Sequence, residues 1–381
     1  MKRKIVYITG TRADYGLMFS VLNAIKNHPK LDLILIVTGM HLMSEFGKTI
    51  KEIEKDNFEL YQIKEIYEKD DKASMAGFVG RCINKFVDAF NCIHPDIILL
   101  LGDRGEMLAG AVAGAYMNIP VAHIHGGDVS GTVDEPVRHA ITKLSHIHFP
   151  ATKKSAERII KTGEEKWRVH VVGAPGLDTI LNEKVIESKE IARKYDLNLS
   201  KPIVLMVQHP VTTESDDAVK QVRETLNAIV ELKHQTILIY PNADAGGRRM
   251  IKAIKKYEKY DFIKTFKSLP HKEYLSLMKI ANVMVGNSSS GIVEAPSFHL
   301  PVVNIGTRQQ GRERAGNVID VDYNRNEIIK GIRKALHDKK FKEKVKKCKS
   351  PYGDGKAGER IVKILSEIKI DKKLLQKRIT Y

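Results

Sequence analysis

Residues 4–15 read KIVYITGTRADY and pass from a short apolar run, through a glycine turn, into a stretch with helical spacing. The same rhythm of Ile- and Val-rich runs and amphipathic segments continues almost to the end of the chain. It predicts an α/β fold in which parallel sheets are flanked by helices. The basic start resembles a signal peptide, but its apolar run is too short for one, and we expect no membrane span elsewhere.

Eleven apolar runs are predicted as strands. In the first half they cover residues 4–9, 31–37, 97–101, 121–125, 146–149 and 169–172, and in the second half residues 203–207, 236–240, 262–266, 283–285 and 302–305. Helices are predicted at residues 15–27, 105–117, 218–232 and 273–280. A turn and a charged stretch interrupt the strand pattern after residue 172. We therefore place a boundary at residue 173, between two Rossmann-like domains that face each other across a cleft.

Composition narrows the classes of function. The 381-residue chain has 43% hydrophobic and 29% charged residues, which is typical of globular proteins. Its three cysteines, Cys82, Cys92 and Cys348, suggest neither a disulfide framework nor a zinc site, so we expect a reducing, cytoplasmic location. The net charge of +17 fits either polyanion binding or a cleft that attracts a small anion. Because the lysines are spread over many helices, we expect no nucleic-acid partner.

Two motifs are suited to binding phosphate. Arg12 follows the first strand at the start of a helix, where free N–H groups and a guanidinium can bind an anion. Residues 286–291 read GNSSSG and also lie between a strand and a predicted helix, which contains Glu294. An ordinary βα turn explains the first motif equally well, whereas a helix cap needs one hydroxyl rather than three. The lysine and spacing of a P-loop are absent, which disfavours an ATPase of that type.

Acidic residues follow the central strands of the first half. Asp103 comes after residues 97–101, and Asp128 and Asp134 come after residues 121–125. Because the carboxyl ends of neighbouring parallel strands meet at one edge of a sheet, we expect these side chains to converge. Converging acids and bases suggest proton transfer. Helix capping is the alternative for Asp103 or Asp134 taken singly.

The histidines allow a second interpretation, which is metal binding. His123, His125 and Asp128 resemble a ligand set, and His146 and His148 repeat the spacing. The ligand spacings of zinc hydrolases are absent, so we predict no metal, and a structural role for His146 and His148.

Polar residues also follow strands in the second half. His209 comes after residues 203–207, and Asn242 and Asp244 come after residues 236–240. A nucleotide site in a parallel sheet requires such residues at the strand ends. Turn formation explains the neighbouring proline and glycines but not His209.

Seven motifs, taken in order, make the chain resemble the hydrolysing UDP-N-acetylglucosamine 2-epimerases, a family that feeds sialic-acid and related nonulosonic-acid synthesis. They are GTRADY at residues 10–15, GDR at 102–104, HIHGGD at 123–128, RHAITK at 138–143, HPVTT at 209–213, GNSS at 286–289 and GTRQQGRE at 306–313. The non-hydrolysing relatives typically read GTRPE and HRRE, neither of which occurs here. One departure is that many members carry Glu where this chain has His125, and a second Glu where it has Asp128.

The resemblance implies a GT-B fold. Residues 1–173 would form the first Rossmann-like domain and residues 174–357 a second one that binds UDP. The C-terminal segment 358–381, with a helix over residues 358–370, would return to the first domain. The family also implies a homodimer or homotetramer.

Site residues follow from matching the motifs position by position. The implied catalytic residues are Asp103, Asp134, His125, Arg138 and His209. The implied UDP contacts are Arg12, Arg104, Asn242, Asp244, Ser288, Ser289, Ser290, Gly291, Glu294 and Arg308. Among these, Arg12, Ser289 and Arg308 match diphosphate contacts, and Asn242, Asp244 and Glu294 match nucleoside contacts.

The implied activity converts UDP-N-acetylglucosamine, or a related UDP-acetamido sugar, and water to UDP and the free C2-inverted sugar, N-acetylmannosamine. The expected route is elimination of UDP to a glycal and then hydration, which needs an acid–base pair but no cofactor or metal. A diacetamido-trideoxy sugar carried by UDP or GDP, a GT-B glycosyltransferase and a non-enzymatic nucleotide-sugar sensor stay open as alternatives.

Overall fold

The computed structural model of the chain describes residues 2–182 and 185–381. Met1, Glu183 and Lys184, which the predicted domain ranges include, lie outside the described residues. Within the described part, two six-stranded parallel sheets are flanked by helices, which confirms the predicted α/β class. None of the described helices combines the length and the apolar character that crossing a bilayer requires.

The first sheet and its helices occupy the first half of the chain. Its strands are β1 Arg3–Thr9, β2 Leu31–Val37, β3 Glu59–Gln62, β4 Ile97–Leu101, β5 Val121–Ile124 and β6 Ile147–Phe149. Its helices are α1 Arg12–Lys26, α2 Ile50–Lys55, α3 Lys72–Ile93, α4 Gly105–Tyr116, α5 Asp134–Leu144 and α6 Lys153–Lys161, and α7 Gly176–Asn182 follows them.

The second sheet begins after α8 Ser188–Lys194. Its strands are β7 Ile203–Val207, β8 Gln235–Ile239, β9 Ile263–Phe266, β10 Val283–Gly286, β11 Val302–Ile305 and β12 Val318–Val321. The helices are α9 Ala218–Leu232, α10 Gly247–Ile254, α11 His271–Ile280, α12 Ser290–Val293, α13 Arg325–His337 and α14 Lys339–Lys346, and the chain ends with α15 Ala357–Glu367 and α16 Lys372–Leu375.

Both sheets have the same strand order. The first runs β3-β2-β1-β4-β5-β6 and the second β12-β11-β10-β7-β8-β9, so each places its first and fourth strands side by side at the centre. The pairing of β1 with β4 aligns Ile5 with Ile97. In such sheets the chain reverses its winding direction between these two strands, and this opens a crevice at their carboxyl ends where ligands bind. The fold therefore supplies one crevice in each half.

The central strands were predictable because helices bury them on both faces. All five residues of β4 are buried, and Ile5 to Ile8 of β1 are fully buried. Parallel strands in this position read as continuous apolar runs. The strands that the sequence pattern misses, β3 and β12, are four-residue strands at sheet edges, where their side chains are exposed or only partly buried.

One predicted strand is wrong. Residues 169–172 form only a single bridge, from Val169 to His148, and otherwise run as irregular chain. The prediction that β5 reaches His125 is also wrong by one residue. His125 has φ of 63°, which lies in the left-handed region and turns the backbone out of the sheet.

The C-terminal helix α15 packs against α1 of the first sheet's layer. Asp178 fixes its start, because its carboxylate accepts hydrogen bonds from the N–H groups of Ala357 at 2.9 Å and Gly358 at 2.6 Å. The predicted helix over residues 358–370 thus corresponds to Ala357–Glu367. The domain boundary at residue 173 stays a prediction.

Contacts that we call the Asp70 clamp join the two halves. Helix α10 begins after Gly246, which has no side chain to cap it, and Asp70 of the first half accepts the N–H groups of Gly246, Arg248 and Arg249 at 2.9, 3.3 and 3.0 Å. The Arg248 guanidinium also binds Glu45, with the closest N–O distance 2.6 Å. A helix N-terminus in one half is therefore capped by a carboxylate from the other.

Candidate active site

A cleft of about 280 Å³ opens at the carboxyl ends of the strands, between the two sheets. Every site residue that the sequence predicts lines it, except Gly291. The lining residues are Arg12, Asp103, Arg104, His125, Asp134, Arg138, His209, Asn242, Asp244, Ser288, Ser289, Ser290, Glu294 and Arg308. Half of them directly follow the central strands β1, β4, β7 and β10, as the common strand order requires.

Arg12 reaches from the start of α1 toward the second half. The helix start is fixed because Thr11 and Asp14 form a reciprocal capping box. The Arg12 guanidinium lies 5.6 Å from the centre of the Tyr274 ring, and its buried Nη1 has no hydrogen-bond partner among the described residues. Burial lowers the pKa of Arg12, although nearby acids such as Glu52 oppose the shift. A buried cation without a partner is suited to an anionic ligand.

Asp103, which lines the same cleft, is held by arginines. Its carboxylate pairs with Arg138, whose side chain is 1% exposed. Burial alone would raise the pKa of Asp103, but Arg138, Arg312 and Arg308 outweigh burial and hold it below its usual value. Asp103 is therefore ionised at neutral pH.

Asp134 lies at the first turn of α5 beside this pair. Its carboxylate is 3.4 Å from the Arg308 guanidinium, which comes from the second half. Burial, followed by the charge of Asp103, raises the pKa of Asp134, whereas Arg308 lowers it. The environments of the two aspartates thus push their pKa values apart, as is typical of an acid–base pair.

His125 is a third titratable side chain of the cleft. Its Nδ1 is 3.4 Å from the Asp128 carboxylate, and Asp128 is buried. Burial alone would raise the pKa of Asp128, but the hydrogen bond and charge of His125 lower it far below its usual value. The imidazole therefore lies beside a permanently ionised carboxylate.

His209 lies after β7, in the crevice of the second half. The N–H of Asn242 donates to its Nδ1 at 3.1 Å, so the ring carries its proton on Nε2. Burial, then Arg308 and Arg104, hold the pKa of His209 well below its usual value. This neutral imidazole can donate a hydrogen bond from Nε2 to an anionic oxygen.

The serine motif forms a network of hydroxyl groups. Ser288 and Ser290 share a hydrogen bond of 2.8 Å, and the Tyr274 hydroxyl lies 2.5 Å from Ser290. The predicted helix containing Glu294 is wrong: α12 is a single turn, Ser290–Val293, and a 3₁₀ turn follows. Gly291 is absent from the cleft lining, and a Cβ there would lie 3.0 Å from Val302, so its role as a UDP contact stays a prediction.

Glu294 and the Asn242–Asp244 pair, which the motifs group together, lie in different surroundings. Glu294 is 4.0 Å from His271. The Asn242 amide instead donates to Asp244 at 2.6 Å, and Asp244 is 3.7 Å from Arg104.

Arg104 is mostly occupied by protein groups. It donates to the Tyr67 hydroxyl at 3.1 Å and lies 3.4 Å from Glu106. Its surroundings therefore favour a role in holding Asp244, with less capacity for a UDP contact.

Some lining residues were not singled out from the sequence. Arg312 is the most informative, because it acts on both Asp103 and Asp128, and it lies within the quoted motif at residues 306–313. His271 and Tyr274 lie on the first turns of α11, which no motif marks. Only the tertiary fold brings α11 beside Arg12.

The remaining histidines have structural roles. His123 donates from Nε2 to the Gly102 carbonyl at 2.7 Å, and its Nδ1 is 3.0 Å from the Thr142 hydroxyl. His146 accepts the N–H of Val121, and His148 hydrogen-bonds Glu164. Among the residues that the structure describes, no three His, Cys, Asp or Glu side chains are grouped so that they could bind a metal.

The paired sheets and the cleft between them define a protein of the GT-B-like fold class. A family model described as UDP-N-acetylglucosamine 2-epimerase matches residues 23–366. The chain belongs to this family and is an epimerase, as the seven motifs predict.

Two relatives extend over most of the chain. It is 44% identical over 382 residues, covering all of both chains, to the UDP-N,N'-diacetylbacillosamine 2-epimerase (hydrolyzing) of Legionella pneumophila. It is 38% identical over 341 residues, 89% of each chain, to the UDP-N-acetylglucosamine 2-epimerase of Neisseria meningitidis.

Solved structures share the fold. The Neisseria meningitidis enzyme bound to UDP-GlcNAc matches with a TM-score of 0.79, at 19% identity, over 95% of this chain and 99% of the other. The Methanocaldococcus jannaschii enzyme in complex with UDP-GlcNAc and UDP matches with a TM-score of 0.78, at 20% identity, over 95% and 99%. These matches confirm the GT-B-like class.

Proposed function

We propose that this chain converts a UDP-linked acetamido sugar and water to UDP and the free sugar inverted at C2. The observation that carries the proposal is the set of charged groups that share one cleft. Two neighbouring aspartates with opposite pKa shifts line it together with Arg12, a cation without a hydrogen-bond partner among the described residues. Proton exchange and departure of a diphosphate need such groups.

In the first step UDP is eliminated. Asp103, which is ionised, removes the C2 hydrogen as a proton, and the C1–O bond breaks so that its electrons leave with UDP. Arg12, Arg308 and the Nε2–H of neutral His209 stabilise the negative charge of the departing diphosphate. The remaining sugar is a glycal with a double bond between C1 and C2.

In the second step water is added. The pKa of Asp134 is raised, so this carboxyl group stays protonated to a higher pH than an ordinary aspartate. It donates its proton to C2 from the opposite face. Water attacks C1 and gives its proton to His125. Exchange with solvent then returns all three side chains to their starting states.

For the sugar we favour a diacetamido-trideoxy group, as in UDP-N,N'-diacetylbacillosamine. The support is the Legionella pneumophila relative of that name, which matches the full chain. The apolar side chains of Leu17, Met40 and Phe46 in the cleft lining could contact the extra methyl groups of such a sugar. The second candidate is conversion of UDP-N-acetylglucosamine to N-acetylmannosamine, supported by the Neisseria meningitidis relative.

The experiment is incubation of the purified protein with each sugar nucleotide in D₂O, followed by NMR of the released sugar. We expect UDP, a C2-inverted free sugar and deuterium at C2, with faster turnover of the diacetamido substrate. Retention of the original C2 hydrogen would contradict elimination and hydration. UDP formed only when an acceptor is added, with the sugar attached to that acceptor, would instead identify a glycosyltransferase.

A further inference from the structure

His125 is held in place by its backbone and its neighbours. The left-handed φ of 63° directs the chain away from β5, and the side chain lines the cleft while 16% exposed. No residue in the described part of the chain hydrogen-bonds its Nε2, whereas Nδ1 faces Asp128 at 3.4 Å. One ring nitrogen is thus directed to protein and the other is left for a ligand.

Asp128 is itself anchored on its other side. Its Oδ1 accepts the Ser155 hydroxyl at 2.7 Å, while Oδ2 faces His125. Ser155 lies in the first turn of α6, where its N–H donates to the capping residue Thr152 at 3.1 Å. Arg138 binds the Asp128 carbonyl at 3.0 Å. The carboxylate is therefore anchored by the Ser155 hydroxyl at a helix start, and the backbone of Asp128 is held by a buried arginine.

We propose that Asp128 is the positioning residue for His125, so that the two side chains act as one acid–base unit. The proposal rests on the role of His125 given above. Asp128 accepts the proton of Nδ1, which selects a single tautomer and leaves the lone pair of Nε2 facing the substrate. The Asp128 carboxylate fixes the orientation of the His125 ring, so that Nε2 points in the direction that proton transfer needs.

Charge explains why an imidazole alone does not suffice here. A neutral imidazole with an ionised carboxylate has a net charge of −1, and the protonated pair has a net charge of 0. These are the charges of one carboxyl group in its two states. Arg138 and Arg312 face Asp128, so these two arginines interact with a net charge of −1 before proton transfer. Tyr352, which also faces Asp128, stays neutral.

The test is a double-mutant cycle with UDP-N,N'-diacetylbacillosamine as substrate. Asp128→Asn preserves the shape and should reduce kcat at least ~10-fold, and by no more than the ~10²–10⁴-fold that an acid–base group contributes. KM and UDP affinity should change less than about twofold, because His125 and Asp128 do not bind the nucleotide in this scheme. In the His125→Gln background the same substitution should cause no further loss.

The cycle separates the two hypotheses. If His125→Gln is slow and loses further activity when Asp128→Asn is added, the two side chains do not act as one unit, but the role of His125 stands. Normal turnover by His125→Gln would remove the role of His125 itself.

A spectroscopic measurement checks the tautomer directly. In ring ¹⁵N spectra, with His125 assigned by comparison with His125→Gln, we expect a protonated Nδ1 in the natural chain and a mixture of tautomers in Asp128→Asn. An unchanged tautomer would contradict the proposal.

If Asp128→Asn does not fold, Ser155→Ala provides the same two measurements. It removes the hydroxyl that anchors Oδ1 but leaves both members of the unit in place. We expect a smaller loss in kcat that again disappears in His125→Gln, and an additive loss would overturn the proposal.

Discussion

At the scale of single residues, some charged side chains of the cleft are paired with other protein groups and some are not. Asp103 is paired with Arg138, whereas Nη1 of Arg12 has no partner among the described residues. Sequence motifs predicted which residues reach the cleft, because each follows a strand whose position the apolar pattern fixes. They could not predict the pairing of Arg104 with Tyr67 and Glu106, since those contacts depend on packing between α4 and the loop after β3.

Replacement of either aspartate should impair chemistry far more than binding. We expect Asp103→Asn and Asp134→Asn each to reduce kcat by ~10²–10⁴-fold, because each loses a group that exchanges a proton with the sugar. UDP affinity, measured by calorimetry, should change little. Near-normal turnover of both variants would reduce these residues to helix capping and charge pairing.

Loss of the Arg12 side chain should have the opposite effect. Arg12→Ala should weaken UDP binding by about 1.5–3 kcal/mol, the contribution of a hydrogen bond to a charged group. Arg325→Ala, on an exposed helix start outside the cleft lining, is the matched control and should bind UDP normally. Equal affinities of the two variants, measured by calorimetry, would exclude Arg12 from the diphosphate site.

The pH dependence of kcat should report the coupling of Asp134 to Arg308. Arg308 lowers the pKa of Asp134, so Arg308→Gln should raise that pKa further. In the proposed mechanism Asp134 is the proton donor, so activity should be lost as the pH rises through its pKa, and the basic limb should move to higher pH in the variant. If the basic limb of the pH profile does not move, it reports the titration of a group other than Asp134.

At the scale of elements, connections between strands carry the site. The strand order was predictable as a doubly wound sheet, but the length of α12 was not, since the GNSSSG motif fits a long helix as well as the single turn observed. Edge strands β3 and β12 escaped prediction because each is only four residues long and none of their residues is fully buried.

The cap that Asp70 provides to α10 should be measurable as stability. Asp70→Ala leaves three backbone N–H groups without their carboxylate partner, and we expect the free energy of unfolding to fall by about 0.5–2 kcal/mol. Asp71→Ala removes the neighbouring cap of α3, which lies within the first half, and serves as the control. Denaturation at fixed pH compares them, and only the Asp70 variant should also change KM.

At the scale of the whole molecule, the chain ends by returning to its first half. Arg168 donates to the carbonyls of Leu374 at 2.7 Å and Lys373 at 2.8 Å, and Lys377 pairs with Glu164 at 2.7 Å. The family resemblance predicted this return, but the sequence alone gives no periodic signal for it. The predicted homodimer or homotetramer stays a prediction.

The contact of the C-terminal segment with Glu164 should make the stability of the fold depend on pH. Burial alone would raise the pKa of Glu164, but hydrogen bonds from His148 and Lys377 lower it to about 2. A carboxyl group with a lowered pKa stabilises the fold above its unfolded value near 4.5, and this contribution is lost as the pH falls through about 2. Glu164→Gln should therefore melt at a lower temperature at pH 7, and the difference should shrink in acid. A difference independent of pH would contradict this.

The Asp70 clamp has a consequence for how the enzyme handles its own intermediate. A glycal can be hydrated or can escape, and the ratio of these two fates depends on how long the two halves stay closed. Loosening the clamp should therefore shift partitioning toward escape, so that Asp70→Ala releases a larger fraction of unsaturated sugar per UDP formed. We therefore expect the contact between a carboxylate and a distant helix start to affect the fidelity of the reaction, measured as unsaturated sugar per UDP formed.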